Sequence, residues 1–195
     1  VAETKCVFMN ISTPRNFAFS PQLDFPTAHL PGRIAIGDFD GDGKPDVAVS
    51  HLGGYIGVFQ NTSTPGSISF GTMIQFYSGT NPEGIAVGDL DGDGKTDIVG
   101  TNFGNNIAST QTIVLFHNES SGSAIGFSSG TVLRAGSHPS SIAIADLNGD
   151  GMPDLALTND TVSAISVLKN MSTPGRFSFA PAVAYRTGQY PSEVM

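Results

Sequence analysis

The sequence predicts an all-β fold of repeated four-stranded antiparallel units, and three observations carry that prediction. First, an acidic nine-residue stretch occurs three times: Asp38-Phe39-Asp40-Gly41-Asp42-Gly43-Lys44-Pro45-Asp46, then Asp89 to Asp97, then Asp146 to Asp154. Second, an asparagine-led, Ser/Thr-rich turn begins at Asn10, Asn61, Asn118 and Asn170, at spacings of 51, 57 and 52, and 28 residues separate each of the first three from the next acidic stretch. Two unrelated landmarks in constant phase define an array with a period a little over 50 residues. Third, each period holds short β-rich runs punctuated by Gly, Pro, Asn and Ser, with no helical periodicity long enough to matter. Four short strands repeated at this length read as the blades of a β-propeller.

Taken in order, Lys5 to Met9 aligns with a third strand and Gln22 to Phe25 with a fourth, so the register begins in mid-unit. In the first whole unit Ile34-Ala35-Ile36 leads into the acidic stretch and Val47-Ala48-Val49 leaves it. The alternating run from Gly54 to Phe59 is a third strand, the turn at Asn61 follows, and Thr72 to Tyr77 is the fourth. Pro31, Pro82 and Pro139 each stand seven residues before an acidic stretch. The second unit is longer by five or six residues, with the excess in Thr101 to Thr112. At the end, Tyr190 to Val194 aligns with His138 to Ile142. The expected organisation is one partial propeller over 1–195: a half blade at 1–28, blades at 29–79, 80–136 and 137–188, and the start of another at 189–195. An open arc would leave strand edges exposed, so the chain is expected to be covalently continuous with further blades of a longer parent protein.

The acidic stretches carry the chemistry. Carboxylates stand at positions 1, 3, 5 and 9: Asp38, Asp40, Asp42 and Asp46; Asp89, Asp91, Asp93 and Asp97; Asp146, Asp150 and Asp154, with Asn148 at position 3 of the third loop. Carboxylates this close repel one another unless a cation sits among them. An all-oxygen set on a flexible loop suits Ca²⁺ better than Mg²⁺ or Zn²⁺, so three Ca²⁺ sites are expected, the third the weakest. An EF-hand would need Glu at position 12, where Val49, Gly100 and Leu157 stand instead. Eleven of the 17 acidic residues lie in these loops, so the net charge of −8 reflects metal binding. Three calcium ions would bring it to about −2. Nine scattered Lys and Arg offer no nucleic-acid surface. No apolar run approaches the ~18 residues of a membrane span, so no membrane insertion is expected. One cysteine excludes an internal disulfide framework, and Cys6 is expected to be a small packed strand residue.

Acidic nine-residue loops between the first two strands of four-stranded repeats resemble the FG-GAP / VCBS-type repeats of integrin alpha-subunit propellers and of many secreted bacterial proteins. The resemblance spans nearly the whole chain. It implies loop ligands from the side chains at positions 1, 3, 5 and 9 and the backbone carbonyl at position 7, which adds Lys44, Lys95 and Met152. The name-giving Phe-Gly survives only at Phe70-Gly71, and the Gly-Ala-Pro site reads Leu30-Pro31, Asn81-Pro82 and His138-Pro139. That favours the bacterial type over a true integrin. Loops of this kind fill at the calcium levels outside cells, with affinities of roughly 10⁻⁴–10⁻³ M, so a secreted or cell-surface location is expected. The chain starts at Val1, in keeping with a leader removed upstream.

Calcium is expected to be structural here, fixing the turn and thereby the strand register. In an up-and-down blade the acidic loops and asparagine turns share one face. The opposite face carries the segments in which the repeats differ, and insertions on one face of a repeat array mark its binding face. Asn102, Phe103, Asn105, Asn106 and Gln111 are the candidate ligand contacts there, and amides with an aromatic suit a sugar or a peptide backbone. His29, His51 and His138, in or beside loops, are further candidates. The expected function is non-catalytic binding or adhesion to an extracellular protein or carbohydrate: there is no G-x-S-x-G, no zinc motif and no carboxylate pair outside the loops. The alternatives are an accessory propeller of a secreted hydrolase or lyase, and an architectural spacer. Asn10, Asn61, Asn118, Asn159 and Asn170 match the N-glycosylation pattern, but four share one repeat phase, which turn chemistry also explains.

Overall fold

The computed structural model describes residues 3–28, 30–104, 112–189 and 191–194. Among them, β1 (Glu3–Val7) and β2 (Leu23–Thr27) form a two-stranded antiparallel sheet. Three four-stranded sheets follow. The first holds β3 (Pro31–Gly37), β4 (Asp46–His51), β5 (Tyr55–Phe59) and β6 (Ile74–Tyr77). The second holds β7 (Pro82–Gly88), β8 (Asp97–Asn102), β9 (Thr112–Phe116) and β10 (Thr131–Arg134). The third holds β11 (Pro139–Ala145), β12 (Asp154–Asn159), β13 (Ala164–Leu168) and β14 (Val183–Arg186). Each is a plain antiparallel meander, and the first strands stand side by side, with β7 packed against both β3 and β11. Sheets stacked through their first strands are propeller-like blades.

The core lies between blades. Phe39, Ala48, Ile56 and Val58 of the first blade meet Ile85, Ile98, Val114 and Phe116 of the second. Leu90, Val99, Ile113 and Leu115 then meet Ile142, Leu155, Leu157 and Leu168 of the third. Position 2 of the first two acidic loops serves these seams. Phe39 and Leu90 are buried under the following blade, whereas Leu147 of the third loop is 53% exposed. Cys6 is exposed, contrary to the packed position expected for it. It lies on β1, in a sheet of two strands rather than four, so it lacks the neighbours that bury its counterparts Val114 and Ser166.

Each first strand opens with the same irregularity. Leu30, Asn81 and His138, each followed by proline, have φ of 54°, 52° and 53°, and the β3–β4, β7–β8 and β11–β12 registers all shift at the strand start. The shift frees one N–H from each ladder. Arg33, Gly84 and Ser141 donate theirs to the hydroxyls of Ser50, Thr101 and Thr158, at 3.0, 2.7 and 3.0 Å. A hydroxyl at the penultimate residue of each second strand thus satisfies a donor that would otherwise be stranded.

Candidate metal sites in the acidic loops

The three loops join the first strand of each blade to the second, as the sequence predicts, and each folds around its own carboxylates. The position 1 carboxylate accepts the N–H groups of both loop glycines: Gly41 and Gly43 on Asp38, Gly92 and Gly94 on Asp89, Gly149 and Gly151 on Asp146, all at 2.7–2.9 Å. Those glycines have φ between 76° and 88°, a region open to few other residues. Position 3 accepts from the residue two further on, as Asp40 does from Asp42, Asp91 from Asp93 and Asn148 from Asp150. Position 5 repeats the move with Lys44, Lys95 and Met152. The result is a coil of oxygens facing inward. Asp38, Asp40 and Asp42 converge within 4.8 Å in the first loop, and Asp89, Asp91 and Asp97 do so in the second.

The position 9 aspartates are almost fully buried: Asp46 at 1%, Asp97 at 0% and Asp154 at 2% exposure. Each bridges the loop start and the asparagine turn, as Asp97 does by accepting N–H groups from Leu90 and Asn118, both at 2.9 Å. Burial nevertheless pushes Asp97 up to about 6, with Asp91 nearby adding to the rise. Asp46 is raised for the same first reason. A buried carboxylate set against other carboxylates is a site built to be neutralised, and a hard divalent cation fits the donor set. At the exposed rim the shifts reverse. Asp42 is lowered by the Lys44 ammonium, Asp146 by the Gly151 N–H, and Asp150 by the Met152 N–H and then Lys169.

A family model described as an FG-GAP-like repeat matches residues 7–49, 38–100 and 104–157. The chain belongs to the FG-GAP-like repeat family. Each match ends at the same phase of the second strand, at Val49, Gly100 and Leu157, so the family unit and the structural blade share one period. No curated protein matches the chain. Position 7 of these FG-GAP loops is Lys44, Lys95 and Met152. Of these side chains, Lys44 turns to Asp42 at 2.7 Å and Lys95 to the Ser120 carbonyl at 3.0 Å.

Two features of the loops escape a reading of the sequence alone. The asparagine turns clamp neighbouring blades together. Asn118 Nδ2 donates to Thr96 O in its own blade and to Phe39 O in the loop of the blade before, at 2.8 and 2.9 Å. Asn170 Nδ2 does the same with Pro153 O and Leu90 O, both at 2.8 Å. Gly175 N–H adds a bond to Asp91 Oδ2 at 2.7 Å. The second feature is the residue before each turn. Gln60 Nε2 donates to Asp40 at 2.7 Å, His117 stands against Asp91 and Asp93, and Lys169 pairs with Asp150 at 3.2 Å. Their shared phase, directly before Asn61, Asn118 and Asn170, was the available signal. Asn118, Asn159 and Asn170 are at most 2% exposed, so turn chemistry and packing account for these sequons in the folded chain.

On the opposite face, two of the predicted ligand residues, Asn102 and Phe103, are among the described residues. Asn102 is buried at the end of β8, donates to Thr112 Oγ1 at 3.3 Å, and fills the space where a Cβ on Gly79 would lie. Phe103 packs edge-on against His138 with ring centroids 5.0 Å apart. Asn105, Asn106 and Gln111, like His29, lie outside the described residues. His51 is fully buried, 2.6 Å from Thr27 Oγ1 and stacked on Tyr55, which makes it a packing residue rather than a surface contact. Asn102 does line a groove of about 740 Å³ between the first two whole blades, with Tyr77, Ser78, Thr80, Phe76 and Phe116. Asn102 Oδ1 and Ser78 Oγ are buried with no hydrogen-bond partner among the described residues. No helix among those residues is long and apolar enough to cross a membrane.

Proposed function

We propose that this chain is a non-catalytic, calcium-stabilised extracellular propeller module that binds a protein or glycan through the face opposite its acidic loops. The observation that carries the reading is the clamping of the loops. Their oxygens face inward, and the backbone around them is tied to the next blade through Asn118, Asn170 and Gly175. A cation held there stiffens the blade seam, which is a structural role. Recognition then falls to the other end of the blades, where the groove beside Asn102 offers aromatic walls with Thr80 and Ser129 among its lining. That combination suits the hydroxyl-rich, apolar-faced ring of a sugar or the amides of an extended peptide.

The test is a glycan-array and immobilised-protein screen in millimolar Ca²⁺ and again in EDTA. Capture that needs Ca²⁺ and is lost in Tyr77→Ala supports the reading. Silence of the calcium-loaded protein against every ligand class rejects it.

A further inference from the structure

The second acidic loop differs from the other two in what lies over it. In the first loop Asp42 is paired with Lys44 at 2.7 Å, and Gln60 donates an amide proton to Asp40. In the third loop position 3 is the neutral Asn148, and Asp150 is paired with Lys169 at 3.2 Å. The second loop keeps all four carboxylates, and Lys95 is turned away to Ser120 O. The group set against Asp91 and Asp93 is instead the imidazole of His117.

The geometry of that imidazole is not a hydrogen bond. His117 Nε2 is 3.0 Å from Asp91 Oδ2 and 3.3 Å from Asp93 Oδ2, and the three atoms lie within 4.8 Å of one another. Nε2 is shielded from solvent, yet it makes a hydrogen bond with neither oxygen. A ring nitrogen at ion-pair distance from two carboxylate oxygens, with a hydrogen bond to neither, is an arrangement that a shared cation would satisfy. Two ligands each about 2.0–2.1 Å from a tetrahedral ion stand about 3.3 Å apart, close to the separations here. The three groups are also held in place. The Asp91 side chain is fully buried and its Oδ2 is fixed by Gly175 N–H, while Phe177 packs edge-on against the imidazole with centroids 5.9 Å apart.

We propose that Asp91, Asp93 and His117 bind a divalent transition-metal ion of the zinc class, beside the calcium of the second loop and at no other loop. Imidazole nitrogen is a ligand for Zn²⁺, Co²⁺ or Ni²⁺ and not for Ca²⁺. The charge allows both ions: four carboxylates less one calcium leave −2 for the second. Gln60 and Lys169 place donor nitrogens, not a metal ligand, over the other loops. Asp91 would bridge the two ions, and water would complete the new coordination sphere.

The probe is Co²⁺, titrated by its visible absorption in saturating Ca²⁺. One Co²⁺ per chain is expected for the native sequence. The variant His117→Gln installs the residue the first blade uses, so it keeps the fold. A partner one bond removed from a metal changes affinity by about 10- to 100-fold, so loss of a direct ligand should weaken Co²⁺ by at least about 100-fold. Calcium-dependent melting, measured separately on both proteins, should be the same for each, so a failed calcium role and a failed second site are told apart. No Co²⁺ band, a band unchanged in His117→Gln, or a band that disappears as Ca²⁺ is raised would each overturn the proposal.

Discussion

Asp97 shows what a single residue can report about these loops. It is fully buried, and burial raises it to about 6 from an ordinary value near 3.8. Between those two values the metal-free folded chain keeps a proton that the unfolded chain has lost. Stability contributed by this group is therefore complete below pH 3.8 and declines as pH rises through 6, by up to about 3 kcal/mol. Calcium inverts the sign, because it binds the ionised form and its contribution grows as the proton leaves. Melting in EDTA should thus fall from pH 4 to 7, melting in Ca²⁺ should rise, and Asp97→Asn should flatten the EDTA branch. Asp42, Asp146 and Asp150 shift the other way but sit at the exposed rim, where solvent screens their effect. The carboxylates were legible in the sequence because position and residue type recur together. The burial of Asp97 was not, since this side chain is enclosed where the start of its own loop at Leu90 meets the asparagine turn at Asn118.

The repeated elements were legible for a different reason. A strand pattern of period two, broken by Gly and Pro and repeated in phase, leaves little choice of fold, and all four strands of each whole blade form where the pattern puts them. What the pattern hides is contact between repeats. The asparagine turn reads as local chemistry, and its local bonds are present, as in Asn118 Oδ1 accepting from Ser120 N. Yet the same side chain reaches a carbonyl 79 residues away in the preceding blade. The four turns are therefore unequal. Asn118→Ala removes two donor bonds, the one to Phe39 buried and the one to Thr96 partly so, and strands the Phe39 carbonyl, which should cost about 2–4 kcal/mol in chemical denaturation. Asn10→Ala, at an exposed turn whose asparagine side chain bonds Ser12 N and, among the described residues, no other blade, should fall within about 0.5 kcal/mol of the native chain. Equal losses at the two positions would contradict the clamp. Of the expected ligand residues, Asn102 is buried at the end of its strand.

At the scale of the whole molecule the blades are joined through seams, and an acidic loop stands at one end of each seam. Ligand that binds only the folded chain stabilises it by mass action, about 2.7 kcal/mol for one site at a hundred times its dissociation constant. Adding millimolar Ca²⁺ to EDTA-treated protein should raise the melting temperature by several degrees and slow proteolysis at the seams. A melting curve indifferent to calcium would remove the structural role. The clamps also run in one direction: Asn118 secures the first loop and Asn170 the second, 79 and 80 residues further along. That polarity becomes a delay when the chain is made. At synthesis rates of about 5–20 residues per second, each loop emerges roughly 4–16 s before the asparagine that secures it. Through that interval its carboxylates are gathered but its outer carbonyl is bare, so the nascent chain always carries one unfinished blade at its growing end, and a stalled ribosome would present that blade to chaperones or to a sister chain's turn.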